Sequence, residues 1–526
     1  MGVVKYFNTA GPCVPELHYM VPPEPRLPEA RRLIARGQYF VVHAPRQSGK
    51  TTTLLALTRD LRAEGERVAL YISCGSAAAV GDDYAAAEQQ VLSAIREEAV
   101  GEALAPELQP PDPWPDAPPG RRLYTGLSRW AAQCPRPIVL FLDEIDALSG
   151  ASLISVLQQL RDGFPLRPRR FPASVVPCGL RDVRDYKRAS GGDPSTLGSP
   201  SPFNIKVASL RIGDFTQEQV TDLYSQHTAE TGQEFTSEAV DRAYCFTKGQ
   251  PWLVNALARE IIEEMRIEPP VPITAAHVDE AKERLILARA THLDSLVARL
   301  QEPRVKRVIE PLLTGQITEA DAAYDNDVAY VQDLGLIRQG NPVAVANPIY
   351  REVIVRVLAA GVDRQITAEP RSFLLPDGRL DFRKVLEEFT AFWRANGDVL
   401  TSEMSYHEVA PQLVLMAWLQ RIVNGGGQVE REYGVGRGRI DLLVRKPYDD
   451  GQTQREALEL KVWRPGARDP LAEGLTQLDG YLDLLGLDTG TLVIFDRRKE
   501  AAPIHERTAF GAAQSPAGRT ITTLRA

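Results

Sequence analysis

The alternation of apolar and polar positions changes character along the chain. Residues 39–60, YFVVHAPRQSGKTTTLLALTRD, run from an apolar strand through a tight polar loop into a helix. RVALYISC (67–74) is apolar and β-branched, a second strand, and PIVLFLDEIDAL (137–148) is a third that ends in acids. ASVVPCGL (173–180) is a fourth, followed by the polar loop KRASGGDPSTLGSPSP (187–202). Between them the proline-dense LAPELQPPDPWPDAPPG (104–120) reads as a surface excursion. Strands alternating with helices predict a parallel sheet covered on both faces. From about residue 214 the pattern is helical, and residues 327–358 suggest a helix, a short hairpin and a closing helix, which suits a small winged-helix unit. Pro370, Pro376 and Gly378 interrupt residues 361–395, which read as a linker or bridging segment. A second α/β pattern follows from 396: helix 408–423, strands 428–433, 439–445 and 456–463, helix 471–486 and strand 490–495. No internal repeat is visible.

The loop APRQSGKT (44–51) fits the phosphate-loop pattern except that Ala44 stands at the first glycine position. The exception matters only if that position needs a positive φ. Backbone N–H groups around Gly49 and the following helix N-terminus would face phosphates, so Ala44, Arg46, Gln47, Ser48, Gly49, Lys50, Thr51 and Thr52 are the expected nucleotide contacts. Lys50 would reach the β and γ phosphates and the Thr51 hydroxyl would bind Mg²⁺. Asp143, closing the IVLFL strand, would hold the same ion through water, and Glu144 would activate the attacking water. The competing reading of DEID is a helix N-terminus whose acids complement the dipole.

APRQSGKTT, LFLDEID, CGLRDVRDYK and GQPWLVNALA together resemble the AAA-like and STAND branch of P-loop ATPases, over roughly residues 8–265 with a winged helix beyond. The resemblance implies that Arg181 senses the γ-phosphate and that Gly249 and Pro251 form the GxP element of a helical lid. It implies a slow nucleotide-gated switch rather than a processive motor. Arg169, Arg170 and Arg184 are no more than candidates for an arginine finger.

RIDLLVRKPYDDGQTQREALELKVW (439–463) reads as a β-hairpin with charges among its leucines. Alternation puts Glu459 and Lys461 on one face and Leu458, Leu460 and Val462 on the other. Asp441 lies near the charged pair if the turn sits around Asp449, Asp450 and Gly451. Two carboxylates suit Mg²⁺ or Mn²⁺, and a lysine beside them can orient or deprotonate a water. The plainer reading is the solvent face of an edge strand with a cross-strand partner. Glu408 would complete the acidic cluster, or else a capping box with Ser405; Gln477 follows in the next helix. Arg437, Arg439, Arg445, Lys446, Arg455, Arg464 and Arg468 make the neighbourhood locally basic, which suits contact with a nucleic-acid backbone.

The order Glu408, Asp441, Glu459-Leu-Lys461, Gln477 resembles the PD-(D/E)XK nuclease superfamily, over about residues 396–500, with Ile440 where the family name has proline. The resemblance implies that Asp441, Glu459, Lys461 and Glu408 are catalytic, and that the Leu460 carbonyl joins Asp441, Glu459 and Glu408 as a metal ligand.

Composition bounds these readings without altering them. The 526 residues are 44% hydrophobic and 25% charged, an ordinary globular balance with length for three or four domains. A net charge of −8 argues against a protein coated in basic surface. Five scattered cysteines without a CxxC pair, no signal-peptide pattern and no membrane-length apolar run lead to an expected cytoplasmic protein without membrane attachment.

The expected fold class is α/β: a P-loop parallel sheet with helical lid and winged helix, then a restriction-endonuclease-like domain. The expected domains are an ATPase core (1–211), lid (212–285), winged helix (286–360), linker (361–395), nuclease-like domain (396–510) and tail (511–526). The expected function is an ATP-dependent switch controlling a Mg²⁺-dependent nuclease, in prokaryotic defence or mobile-element biology. Its cofactors are ATP and Mg²⁺, with Mn²⁺ as an option at the nuclease site. The expected partners are nucleic acid, DNA ahead of RNA, a protein or phage-derived trigger, and further copies of the chain. The alternative is a STAND-type regulator or DNA-binding protein whose nuclease-like part is a non-catalytic scaffold.

Overall fold

In the computed structural model the described residues are 5–180, 205–288, 298–313, 326–339, 343–363, 370–403, 410–423, 427–435, 438–448, 452–498 and 500–526. They fall into two compact units, one comprising 1–290 and 328–349, the other 291–327 and 350–526. The segment expected as one winged-helix domain (286–360) is therefore divided between the units.

The first unit is built on five parallel strands, β1 (Phe40–His43), β2 (Val68–Ser73), β3 (Ile138–Asp143), β4 (Ser174–Gly179) and β5 (Ala208–Arg211), in the order β2-β3-β4-β1-β5. Strands β3 and β4 are buried along their whole length, which is why they read as continuous apolar runs rather than alternating ones. Helices α1 (Ala30–Ala35) and α2 (Lys50–Glu64) cover one face, and α3 (Tyr84–Gly101), α4 (Arg122–Gln133) and α5 (Gly150–Gly163) cover the other. Beyond the sheet come α6 (Gln217–Thr231), α7 (Ser237–Thr247), α8 (Pro251–Arg259) and α9 (Ala275–Leu287). Thr216 closes a capping box at the start of α6 and Thr236 caps α7, so both helix starts are fixed locally.

Helices α10 (Pro303–Leu313), α11 (Asn326–Asp333) and α12 (Pro348–Asp363) follow, with an antiparallel bridge between Ile337 and Val345. The 328–349 segment packs close to the phosphate loop: a Cβ on Gly335 would stand 2.7 Å from Pro45 Cβ, and Arg211 Nη2 donates to the Gln332 carbonyl at 3.1 Å.

The second unit holds α13 (Phe382–Glu403), α14 (Ala410–Val423), β6 (Gln428–Val435), β7 (Gly438–Tyr448), β8 (Gln452–Trp463), α15 (Leu471–Leu485), β9 (Thr491–Asp496), β10 (Ala509–Gln514) and β11 (Thr520–Arg525). Its six-stranded sheet has the order β10-β11-β9-β8-β7-β6 and is mixed, with β8–β9 and β9–β11 parallel and the other pairs antiparallel. Two expectations are corrected here. Residues 382–395 of the expected linker lie in α13, which supplies Val385, Leu386, Phe389 and Trp393 to the core. Trp393 meets Phe495 of β9 at a centroid distance of 5.6 Å, and Trp418 Nε1 donates to the Val385 carbonyl. Residues 511–526 are not a tail either; β11 buries Ile521 and Leu524 beside β9.

The core role of α13 gives a direct expectation. Trp393→Ala removes a side chain 1% exposed and should destabilise the second unit by about 3–5 kcal/mol. Denaturant unfolding read by circular dichroism checks this, and a loss under about 1 kcal/mol would return α13 to the status of a linker.

Candidate functional site

The phosphate loop forms where β1 ends at the carboxyl edge of the parallel sheet, and α2 begins immediately after it. Positive φ falls on Gln47 (58°) and Gly49 (82°), not on Ala44, so the missing first glycine costs no strain. Lys50 Nζ donates to the Ala44 and Pro45 carbonyls, both at 2.8 Å, and folds back over the loop. Burial pulls its pKa down, opposed chiefly by Cys178 and Asp143. Ser48 Oγ donates to the Pro45 carbonyl, Thr52 Oγ1 accepts from the Cys13 amide, and Arg46 is exposed.

Asp143 ends β3 and is 1% exposed. Its Oδ2 accepts from Thr51 Oγ1 at 2.7 Å and from the Tyr71 hydroxyl at 3.0 Å, while Oδ1 accepts from the Glu144 amide. Thr51 and Asp143 thus bring a hydroxyl and a carboxylate together, the oxygen donors that Mg²⁺ takes. Glu144 is exposed in the left-handed region (φ 54°), where Ser73 Oγ holds its Oε2 at 2.7 Å.

Gly249 sits at φ 79° with its Cα against the Phe215 carbonyl; a Cβ there would come within 1.8 Å of that oxygen. Pro251 opens α8, and with Gly49, Thr52 and Thr53 it lines a cavity of about 120 Å³. The sequence reading missed the rest of this cavity, which is formed by the non-periodic N-terminal segment together with residues of α6 and α8. Trp252 Nε1 donates to the Thr9 carbonyl, Arg259 to Thr9 Oγ1, and Gln226 exchanges two hydrogen bonds with Met20. Arg26 donates at 2.7 Å to both the Ser48 and Gly213 carbonyls, tying the phosphate loop to the segment that leads into α6. Burial lowers its pKa to about 10, with Asp214 opposing. Arg181 lies outside the described residues, as do Arg184 and Glu408.

In the second unit the ladder from Leu442↔Leu458 to Tyr448↔Gln452 puts Asp441 opposite Glu459. Asp441 Oδ2 accepts from the Leu460 amide at 2.7 Å. Lys461 Nζ lies 3.0 Å from Glu459 Oε1 and donates to Gln477 Oε1 in the second turn of α15. The alternation predicted an apolar side and an opposite, metal-facing side, and here the structure differs. Glu459 and Lys461 pair in register with Leu492 and Ile494, which pack under α15 with Ala457. The charged face is therefore a packed face too, and Glu459 is 3% exposed. The basic surround is also thinner than expected, since Lys446 is buried and Arg445 pairs with Glu430.

Burial first, and Asp441 second, push the Glu459 carboxyl up to about 7, against the pull of Lys461. Its Oε2 is buried without a hydrogen-bond partner. An orphaned carboxylate oxygen beside a second carboxylate fits an oxygen-preferring divalent cation. Among the described residues no group of three His, Cys, Asp or Glu side chains is gathered as for a metal.

The raised pKa sets a sign for stability. A glutamate with an ordinary value of 4.5 loses its proton in the unfolded chain before it does so in the fold. Its contribution is therefore complete below about 4.5 and is lost as pH rises through about 7. In chelator, the unfolding midpoint of wild type should fall across that window more steeply than that of Glu459→Gln. Parallel pH profiles for the two proteins would contradict the burial argument.

Residues 30–171 match the family model described as AAA ATPase domain. No curated protein matches the chain. Among solved structures, a Walker-type ATPase of Pyrococcus abyssi aligns at 12% identity over 66% of this chain and 99% of its own, with a TM-score of 0.46. Cdc6p of Pyrobaculum aerophilum aligns at 15% over 64% and 95%, with a TM-score of 0.35. The Thermotoga maritima RuvB Holliday-junction branch-migration motor aligns at 14% over 63% and 93%, with a TM-score of 0.33. Likeness at this level speaks to no substrate or partner. Among the described residues no helix is long and apolar enough to cross a membrane. With the phosphate loop at the edge of a five-stranded parallel sheet and Asp143 against Thr51, the N-terminal part has an α/β P-loop NTPase fold, and its residues 30–171 are similar to an AAA ATPase domain.

Proposed function

We propose that the chain is an ATP-controlled, metal-dependent nuclease, in which the AAA ATPase domain is the switch and the second unit cuts phosphodiester bonds. One observation carries this reading: Asp441 faces Glu459 across two strands, and Glu459 keeps a buried, unmatched oxygen beside Lys461. Asp441, Glu459 and the Leu460 carbonyl would hold Mg²⁺ or Mn²⁺, with Glu408 as the third acid. Such a cation, when bound, supplies Lewis acidity beside a phosphodiester. Lys461, fixed by Glu459 and Gln477, would orient a water and offset charge on the phosphate.

In the ATPase domain Lys50 would bind the β and γ phosphates, while Thr51 and Asp143 would hold Mg²⁺. Glu144, aimed by Ser73, would position the attacking water, and Arg181, Gly249 and Pro251 would read the nucleotide's state. DNA as substrate, a protein or phage-derived trigger, self-association, a cytoplasmic site and a defence role belong to the same proposal and rest on resemblance.

A second reading, a STAND-type regulator with a nuclease-like scaffold, is favoured by the 3% exposure of Glu459. Incubation with plasmid and single-stranded DNA in Mg²⁺ or Mn²⁺, with and without ATP, separates the two. Wild type should cut, and Asp441→Ala and Lys461→Ala should lose at least about a hundredfold in rate. An inert wild type under every nucleotide condition, or two active variants, removes the nuclease. Independently, Lys50→Ala should abolish phosphate release from ATP; an unchanged rate removes the assigned ATP site.

A further inference from the structure

Strands β3, β4, β1 and β5 lie side by side and parallel, so the chain enters all four at the sheet edge opposite the phosphate loop. The entering segments are CPRP (134–137), FPLRPRRFPA (164–173), RGQY (36–39) and IKV (205–207). Together they hold six basic residues and no acid, in a chain whose net charge is −8. Hydrogen bonds join them. The Ala173 amide donates to the Ile138 carbonyl at 2.8 Å, Ser174 Oγ to the Gln38 carbonyl at 2.7 Å, and the Val207 amide to the Tyr39 carbonyl at 2.9 Å. The segments therefore form one surface, about 15 Å across at the spacing of neighbouring strands.

Arg36, Arg136, Arg169 and Arg170 are exposed, and their side chains make no hydrogen bond or ion pair among the described residues. Arg167 differs, lying over the Phe164 ring at 3.3 Å and facing Tyr39 at 5.3 Å, so it is committed to packing. The flanking acids are already matched, Asp162 by Arg121 and Glu66 by Arg67, both at 3.0 Å. Four unmatched guanidinium groups attract anions, and their geometry suits phosphate oxygens. They are spread over the entries to three strands, which suits a row of phosphates better than a single one. Tyr39 and Phe171 are fully buried and Phe164 lies under Arg167, so the surface offers bases no ring to stack on. Val207 is the one large apolar side chain exposed there, too little to anchor in a membrane.

We infer that this edge of the first unit docks the sugar-phosphate backbone of duplex DNA, without regard to sequence, through Arg36, Arg136, Arg169 and Arg170. Such contacts position a duplex and carry no base information. Arg169 and Arg170, candidate arginine fingers by sequence, stand a strand's length from the phosphate loop of their own chain, about 20 Å for the six residues of β4. The inference goes beyond the nuclease reading and does not depend on it, since a scaffold-like second unit would leave this surface unchanged.

Fluorescence anisotropy of a labelled duplex of about 20 base pairs, titrated with the full chain in chelator without nucleotide, tests this free of cleavage. Four phosphate contacts give a slope of about −3.6 in log affinity against log salt, a fall of about a hundredfold between about 50 and 200 mM. Arg169→Ala with Arg170→Ala, and separately Arg36→Ala with Arg136→Ala, should each flatten the slope by about 2 while the unfolding midpoint stays that of wild type. Arg59→Ala with Arg242→Ala, on α2 and α7, changes net charge equally and should leave the slope as it is. Absence of binding by wild type at about 50 mM salt, or a slope unaltered in either edge variant, overturns the inference. If the edge variants lose phosphatidylserine vesicles but keep the duplex, the surface meets a membrane and the inference falls. A wild type that binds with this slope yet never cuts upholds the docking edge and removes the nuclease alone.

Discussion

A carboxylate taken out of water has to be met by donors or by a cation, and each half of this chain is organised round one such group. Asp143, 1% exposed, is met by a threonine hydroxyl, a tyrosine hydroxyl and a backbone amide. Those three donors come from α2, β2 and the turn after β3, so the charge draws the working ends of three elements to one point. Glu459, 3% exposed, is met on one oxygen by Lys461 and left unmatched on the other. The first arrangement is matched by donors on both oxygens, whereas in the second the Glu459 Oε2 is left without one. The proposed cation site of the second unit rests on that asymmetry.

The glycines at the nucleotide site follow from how closely backbone must approach backbone. Gly49 starts α2 in the left-handed region and leaves room for the Arg26 guanidinium, while Gly249 lies directly on the Phe215 carbonyl. Ala44 faces neither demand, being buried with an ordinary φ, and a methyl group is tolerated there. What looked like a defect in the phosphate-loop pattern is a position at which that pattern asks for little.

Much of this was legible in the sequence because the decisive signals were local. Continuous apolar runs marked β1 to β4, and the hairpin of β7 and β8 followed from alternation about a polar connection. The signals failed where the determining contact was distant. Pro370, Pro376 and Gly378 obscured the amphipathic run of α13, whose partners Trp418 and Phe495 come later in the chain. Strand β10, AFGAAQ, is mostly exposed and has little hydrophobic signature of its own. The acids of β7 and β8 were placed on one face correctly by parity, but nothing local says that α15 covers that face. Arg26 could not be singled out either, since it is defined by carbonyls far along the chain.

The hydrogen bonds from Thr9 and Met20 to α6 and α8 join parts of the chain more than 200 residues apart in sequence. Lys5 adds another, its amide donating to Glu230 at 3.1 Å. The segment is held on its other side too, where the Cys13 amide donates to Thr52 Oγ1 of α2. Any displacement of α6 and α8 against α2 therefore has to break one set of these bonds or the other. A fluorophore attached in the segment would report which set gives way.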